Sequence, residues 1–191
     1  TDHLYVHWKR PVEGTTNYVT APADGEIVEI GRFPQDKAVR YDRSITVPDY
    51  RMVLMHSCAF FTIFIHLAEL APEIKKQTGP IGLGEQWFST RNGPISVKAG
   101  DPLAEVSGTG LDWSVHDADV ILPGFIIPEH YIGEPWKIHS VDPFQYYEEP
   151  LKSELLSKAV RQVEPRSGKI DYDVEGTILG TWFLEGTNDY D

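Results

Sequence analysis

The most apolar part of the chain runs from Met52 to Leu70, MVLMHSCAFFTIFIHLAEL. It is rich in β-branched and aromatic residues, no polar residue recurs every three or four positions, and a Ser-Cys-Ala segment interrupts it. This pattern predicts a buried β-hairpin with a turn near Ser57. His66 then lies near the end of the second strand, and simple alternation places it on the face of Thr62 and Phe64. Taken alone, His66 is explained as a core histidine with hydrogen-bonded ring nitrogens.

Alternating apolar residues between turn signals predict further short strands before residue 140. They occur in APADGEIVEIG (21–31), ISVKAGDPLAEV (95–106) and LDWSVHDADVIL (111–122). Near the C terminus, Asp142 and Pro143 are typical of a helix start, and the apolar residues of 151–163 predict a helix with a buried face. GKIDYDVEGTILGTWFL (168–184) predicts a terminal hairpin. We therefore expect a mostly β domain over 1–140 and an appendage of helix and hairpin over 141–191.

Charge and cysteine content narrow the functional classes. The formal net charge of −12 disfavours nucleic acid as a partner, because binding a phosphate backbone requires Lys and Arg. No apolar run reaches the roughly 20 residues of a membrane span. Cys58 is the single cysteine, which excludes an internal disulfide, and its apolar neighbours predict a buried, inert thiol. The first residue is Thr1, which is compatible with a removed signal peptide or with a fragment.

Four segments in order resemble a known family. APADGEIVEIG, an apolar hairpin ending in HLAEL, VKAGDPLAEVSGTG and LDWSV are similar to the lysostaphin-like M23 metallopeptidases and their relatives with the duplicated hybrid motif. The resemblance covers residues 15–120. It implies a barrel-sandwich of short antiparallel strands and a zinc-dependent endopeptidase ancestry. His66 matches the HL histidine, which in that family is a catalytic residue beside the metal.

The resemblance also implies metal ligands, but the pattern is degenerate. The HxH positions fall on Gly110 and Asp112, so one catalytic histidine is missing and the ligand position holds a carboxylate, which can replace His as a zinc ligand. The HxxxD segment that supplies two further ligands has no counterpart. Asp2, His3 and His7 are the only nearby candidates, and His3 is the preferred one. Asp112 also has a purely structural explanation, as an acceptor of backbone N–H bonds at a strand end.

These residues favour binding over cleavage. A hydrolytic zinc site needs three protein ligands and an open fourth position, and a catalytic histidine such as the missing one typically contributes about 10²- to 10⁴-fold in rate. The resemblance therefore implies an M23-like protein with a degenerate zinc site that binds, or weakly cleaves, a cell-wall peptide or glycopeptide outside the cytoplasm. If active, it would be a zinc metallo-endopeptidase, and zinc is the only cofactor expected.

Other functions remain open at the sequence level. A non-catalytic carbohydrate- or protein-recognition module is the main alternative, with a cleft beside His66 rimmed by aromatic residues that suit glycan or peptide ligands; these are Tyr5, Trp8, Trp87 and Trp113. Phosphohistidine carriers of the same fold use two facing histidines, and His56 is the only candidate mate for His66. Finally, His116 and Asp117 at the end of LDWSVHD are expected at a solvated strand edge.

Overall fold

The computed structural model describes residues 2–8, 17–36, 46–108 and 110–188. The chain divides into two compact units. We call residues 4–113 the strand unit, and residues 114–191 together with 1–3 the C-terminal unit. The division falls after Trp113, and the domain ranges 1–140 and 141–191 stay a prediction. In the described residues, no helix is long and apolar enough to cross a membrane.

The strand unit is built from short antiparallel strands, which confirms the mostly β prediction. The elements are β1 (Leu4–Val6), β2 (Tyr18–Thr20), β3 (Gly25–Arg32), β4 (Tyr50–Met55), β5 (Phe60–Leu70), α1 (Pro72–Thr78), β6 (Gln86–Phe88), α2 (Ser89–Asn92), β7 (Ile95–Val97), β8 (Pro102–Val106) and β9 (Leu111–Asp117). The central strands follow the order β5-β4-β3-β6, and β7 also pairs with β3. Strand β8 pairs with β5 and β2, and β1 pairs with the first residues of β9. This sheet is open, not closed into a barrel.

The predicted central hairpin is confirmed as β4 and β5. Its turn is closed by Ser57, whose Oγ accepts hydrogen bonds from the backbone N–H groups of Ala59 and Phe60. Apolar residues of the hairpin, such as Met52 and Leu67, are fully buried. Cys58 is exposed, so the prediction of a buried thiol is wrong. Cys58 lies in the turn between β4 and β5, beyond the last paired residues of the two strands.

A β-bulge near the end of β5 changes the alternation. Tyr50 of β4 pairs with Leu67, whereas Met52 pairs with Phe64, so one residue of β4 faces two residues of β5. One of these two is His66, whose backbone has a φ of 68°, a left-handed conformation unusual for a non-glycine residue. Beyond Phe64 the two-residue alternation is therefore interrupted. The face assigned to His66 by simple alternation does not follow from the observed register.

The C-terminal unit is mostly irregular. It contains the end of β9, the short strand β10 (Ser140–Val141), three 3₁₀ helices (Pro128–Tyr131, Pro135–His139, Pro143–Tyr146) and α3 (Leu151–Lys158). Asp142 accepts a hydrogen bond from the N–H of Phe144, which confirms its predicted capping role, although the capped element is a 3₁₀ helix. The predicted helix 151–163 stops at Lys158, where Ala159 turns to an extended backbone, and none of its residues is buried.

The predicted terminal hairpin is wrong, since no strand is assigned over residues 168–184. Carboxylates hold this segment instead. Asp171 accepts a hydrogen bond from the N–H of Gly124 (2.7 Å), and Asp173 accepts from Ile126 (3.0 Å) and Thr181 (2.7 Å). Asp side chains that bind backbone N–H groups compete with strand pairing. The alternating apolar residues of segment 168–184 therefore do not form a hydrogen-bonded pair of strands.

Candidate functional site

His66 is the centre of a polar cluster in the strand unit. Its Nδ1 lies 3.2 and 3.1 Å from the two carboxylate oxygens of Asp49. The Asp49 side chain is 1% exposed, whereas that of His66 is 37% exposed. An ionised carboxylate only accepts hydrogen bonds, so Nδ1 carries the hydrogen and donates it. Asp49 thus fixes the ring orientation, with Nε2 on the edge of the ring away from Asp49.

Asp112 lies on the other side of the imidazole. Its Oδ2 is 3.7 Å from Nε2 of His66. It is positioned by the antiparallel pairing of β9 with β1, in which Asp112 faces Tyr5. A separation of 3.7 Å is longer than a direct hydrogen bond and leaves room for a shared ligand group or a bridging water. The imidazole is therefore flanked by two carboxylates, one buried and one partly exposed.

A cavity of about 270 Å³ opens beside this cluster. Its polar lining residues are Asp49, His66 and Gln35, and its apolar ones are Phe33 and Pro34. The ring of Phe33 stacks against the imidazole at a centroid distance of 6.3 Å. The cavity thus offers an aromatic surface next to hydrogen-bonding groups, a combination typical of sites for small polar ligands.

The cluster is only partly suited to zinc. A zinc-bound histidine commonly donates its other ring N–H to a carboxylate, as His66 does to Asp49. Nε2 of His66 and Oδ2 of Asp112 would then be two donors. Structural and catalytic zinc sites use at least three protein ligands, and no group of three His, Cys, Asp or Glu suited to a metal ion occurs in the described residues. Within them, the donor set is therefore too small for a zinc site.

His3, the third predicted ligand, belongs to the C-terminal unit. Its Nδ1 is 2.9 Å from the Asp2 carboxylate, which also lies 3.6 Å from Nζ of Lys137. Burial by itself raises the pKa of Asp2, but the hydrogen bond from His3 and the charges of His3 and Lys137 outweigh it and hold that pKa well below its usual range. The structure thus brings His66 and Asp112 together within the strand unit, and within the C-terminal unit His3 lies in an ion-pair cluster with Asp2 and Lys137.

The four aromatic residues of the predicted cleft have different environments. Trp87 and Trp113 are buried, at 4% and 9% exposure, whereas Tyr5 is 63% exposed. Trp8 lines a shallow groove of about 470 Å³ together with Tyr18. Two of the four rings are therefore core residues, and only Tyr5 and Trp8 are accessible enough to touch a ligand.

The side chains of His56 and His66 do not face each other in the hairpin. His56 lies at the turn, where its ring contacts the backbone carbonyl of Asp24 (2.8 Å) and the hydroxyl of Thr62 (2.9 Å). His66 lies ten residues along the chain, in the part of β5 that faces the start of β4. The two rings occupy opposite ends of the hairpin, since a strand rises by about 3.3 Å per residue.

Sequence reasoning missed two residues of the site, Asp49 and Phe33. Neither belongs to a motif, and both lie in loops just outside strands. Asp49 follows Pro48 and directly precedes the apolar strand β4, so an acidic residue at the entrance of a buried strand was the one available signal. Charged residues are seldom fully buried without a partner.

Comparisons with known proteins give no relative: no family model, curated protein or solved structure matches this chain.

The backbone of His66 provides a direct test of the bulge. We expect His66→Gly to be more stable than His66→Ala by about 1 kcal/mol, because only glycine adopts a left-handed conformation without steric cost. Both variants lose the contacts of the imidazole, so their difference isolates the backbone term. Free energies of unfolding from urea denaturation measure it, and equal stabilities would contradict the left-handed bulge.

Proposed function

We propose that the strand unit binds a peptide or glycopeptide in the cavity beside His66, and that the protein is a non-hydrolytic relative of the M23 peptidases. One observation supports this most directly: a β-bulge presents a partly exposed histidine, oriented by the buried Asp49, in the wall of a cavity. Bulges often re-aim a side chain at a binding site, and left-handed non-glycine residues cluster at such sites. The ordered segments described for the sequence support the relationship to the barrel-sandwich fold and an extracytoplasmic location.

The chemistry of the cavity suits a peptide. The imidazole of His66, the carboxylate of Asp49 and the side-chain amide of Gln35 line the cavity, and groups of these types exchange hydrogen bonds with the N–H and C=O groups of a peptide. Phe33 and Pro34 provide an apolar wall for a side chain or a sugar ring. The volume, about 270 Å³, lies just below the usual range of small-molecule pockets, about 300 to 1,000 Å³. It therefore accommodates one or two ligand residues, not an extended chain.

The degenerate donor set favours binding without turnover. Zinc at this position would use Nε2 of His66 and a carboxylate oxygen of Asp112, two of the three protein donors that a hydrolytic site requires. The proposal therefore predicts saturable binding without cleavage and without stoichiometric zinc.

Calorimetric titration tests the proposal with three probes: a disaccharide–tripeptide muropeptide, triglycine and the free disaccharide. We expect one of the two peptide-containing probes to bind saturably, and His66→Gln to weaken that binding at least about tenfold, the equivalent of one lost charge-assisted hydrogen bond. The matched control is His139→Gln in the C-terminal unit, whose ring contacts only a backbone carbonyl among its described partners. It should bind like the native protein.

Zinc analysis and product analysis separate the remaining outcomes. The protein is purified without chelator, its metal content is measured, and the probes are examined by mass spectrometry after incubation. Stoichiometric zinc that is lost in Asp112→Ala, together with peptide cleavage, would establish a peptidase and overturn the non-hydrolytic proposal. Absence of both binding and cleavage for the two peptide probes would reject a peptide ligand.

A glycan ligand is a second candidate, favoured by the groove of Trp8 and Tyr18. Asn17 and Thr20 add polar groups to this groove, and aromatic faces with neighbouring hydrogen-bonding groups suit sugar rings. The free disaccharide distinguishes the two candidates. Binding of the disaccharide that is insensitive to His66→Gln but lost in Tyr18→Ala would assign the ligand to the groove.

A further inference from the structure

A second polar pair, Ser114 and His116, lies in the C-terminal unit. Ser114 and His116 are alternate residues of β9 and so point to the same side of the strand. The hydroxyl of Ser114 is 2.9 Å from Nε2 of His116. Nδ1 of the same ring is 2.9 Å from the backbone carbonyl oxygen of Trp136. His116 is 1% exposed, so its predicted place at a solvated edge is wrong.

The carbonyl partner fixes the tautomer of His116. A carbonyl oxygen can only accept, so Nδ1 carries the hydrogen and donates it to Trp136. In the neutral ring, Nε2 is then the acceptor, and the hydroxyl of Ser114 must donate to it. This is the direction of hydrogen bonding by which a histidine activates a serine as a nucleophile.

The surrounding elements hold this geometry in place. Antiparallel pairing of β9 with β10 sets Ser140 opposite His116, and the Ser140 hydroxyl lies 3.5 Å from Nδ1. Trp136 belongs to the 3₁₀ helix Pro135–His139 that leads directly into β10. The imidazole is enclosed, while Ser114 retains partial solvent exposure. A buried base behind a partly accessible hydroxyl provides two of the contacts that such a site requires, the hydrogen bond from nucleophile to base and the hydrogen bond from base to orienting group.

We propose that Ser114 is a nucleophile, with His116 as its general base, that accepts the acyl group of a neutral ester or thioester. Oγ of Ser114 forms a bond to the acyl carbon while its proton passes to Nε2 of His116. The bond from that carbon to the alcohol or thiol then breaks, and the leaving group takes the proton. Water, deprotonated by the same nitrogen, hydrolyses the acyl-serine and restores the hydroxyl.

The backbone carbonyl of Trp136, which orients His116, and the net charge of the chain indicate the substrate class. A backbone carbonyl stabilises an imidazolium less than the carboxylate of a catalytic triad does. The pair is therefore suited to esters and thioesters, whose leaving groups depart more easily than amines. The net charge of −12 disfavours anionic substrates by repulsion. This activity goes beyond the peptide binding proposed for His66 and does not depend on it.

A fluorophosphonate probe tests the nucleophile in the intact chain. Attack by Oγ of Ser114 forms a serine–phosphorus bond and releases fluoride, and peptide mapping by mass spectrometry locates the adduct. We expect the adduct on Ser114, no adduct at this position in Ser114→Ala, and a labelling rate at least about 10²-fold lower in His116→Gln, the usual contribution of a general base. Ser157→Ala is the control, because the hydroxyl of that exposed serine donates to the backbone carbonyl of Glu154 and has no histidine partner among the described residues. It should label at the native rate.

The outcomes are decisive even if a variant folds poorly. Circular dichroism first establishes that each variant is folded, and the peptide map of the native protein requires no variant at all. Absence of the adduct from Ser114 in the native protein overturns the proposal. Equal labelling rates of Ser114 in the native protein and in folded His116→Gln would also overturn it, because the histidine would then not act as a base. Release of nitrophenol from 4-nitrophenyl acetate, lost in Ser114→Ala, would extend the result to acyl transfer.

Discussion

Gly168→Ala is expected to destabilise the C-terminal unit by about 3 kcal/mol or more, the combined cost of a left-handed alanine and a rigid steric overlap. Gly168 has a φ of +77°, and a Cβ atom there would lie 2.3 Å from the carbonyl carbon of Val141 and 2.6 Å from the backbone nitrogen of Asp142. Backbone atoms of β10 and its successor cannot rotate away as a flexible side chain can. The free energy of unfolding from urea denaturation measures the loss, and hydrogen exchange assigns it to this unit.

Gly176→Ala is the matched control in the same unit. Its φ is +75°, but no heavy atom lies within 4 Å of the added Cβ. Only the cost of a left-handed alanine backbone remains, so we expect the free energy of unfolding to fall by about 1 kcal/mol. If both variants lost the same free energy, the close approach between Gly168 and the 141–142 backbone would be disproved.

Leu67→Ala should destabilise the strand unit by about 2 to 5 kcal/mol, the usual cost of removing most of a buried leucine side chain. Leu67 is fully buried and directly follows His66. It pairs with Tyr50 on one side and Val106 on the other, so it anchors the bulge between two neighbouring strands. A cavity at this position should also loosen the imidazole. We therefore expect weaker binding of the peptide-containing probe as well as lower stability, both measured on the same preparation.

Leu83→Ala provides the comparison for this variant. Leu83 belongs to the same unit but is 55% exposed, so the change in stability should stay within about 0.5 kcal/mol and binding should be unaffected. Unchanged binding in a folded but destabilised Leu67→Ala protein would show that the bulge does not depend on its buried neighbour.

The site was only partly predictable from the sequence. His66 and Asp112 were identified through the family resemblance. Their side chains lie in one cluster, with Nε2 of His66 3.7 Å from Oδ2 of Asp112. Asp49, the partner that fixes the imidazole, carried no motif and comes from a loop 17 residues earlier. The environment of His116 was predicted incorrectly, because the residues that cover it, Trp136 and Ser140, lie at least 20 positions away. Long-range partners of this kind leave no periodic signal along the chain.

The sequence by itself determined the local elements of this protein. Alternating apolar residues and turn signals specified the mostly β character and the β4–β5 hairpin, since side-chain direction in a strand repeats every two residues. The cap at Asp142 was likewise readable, because its hydrogen bond reaches only two residues along the chain. Tertiary structure alone decided where the alternation fails. The bulge at His66 depends on the register of neighbouring strands, and the segment 168–184 is held by carboxylates bonded to distant backbone N–H groups. Both the orientation of His66 and the loss of the terminal hairpin therefore arise from contacts between segments far apart in the chain.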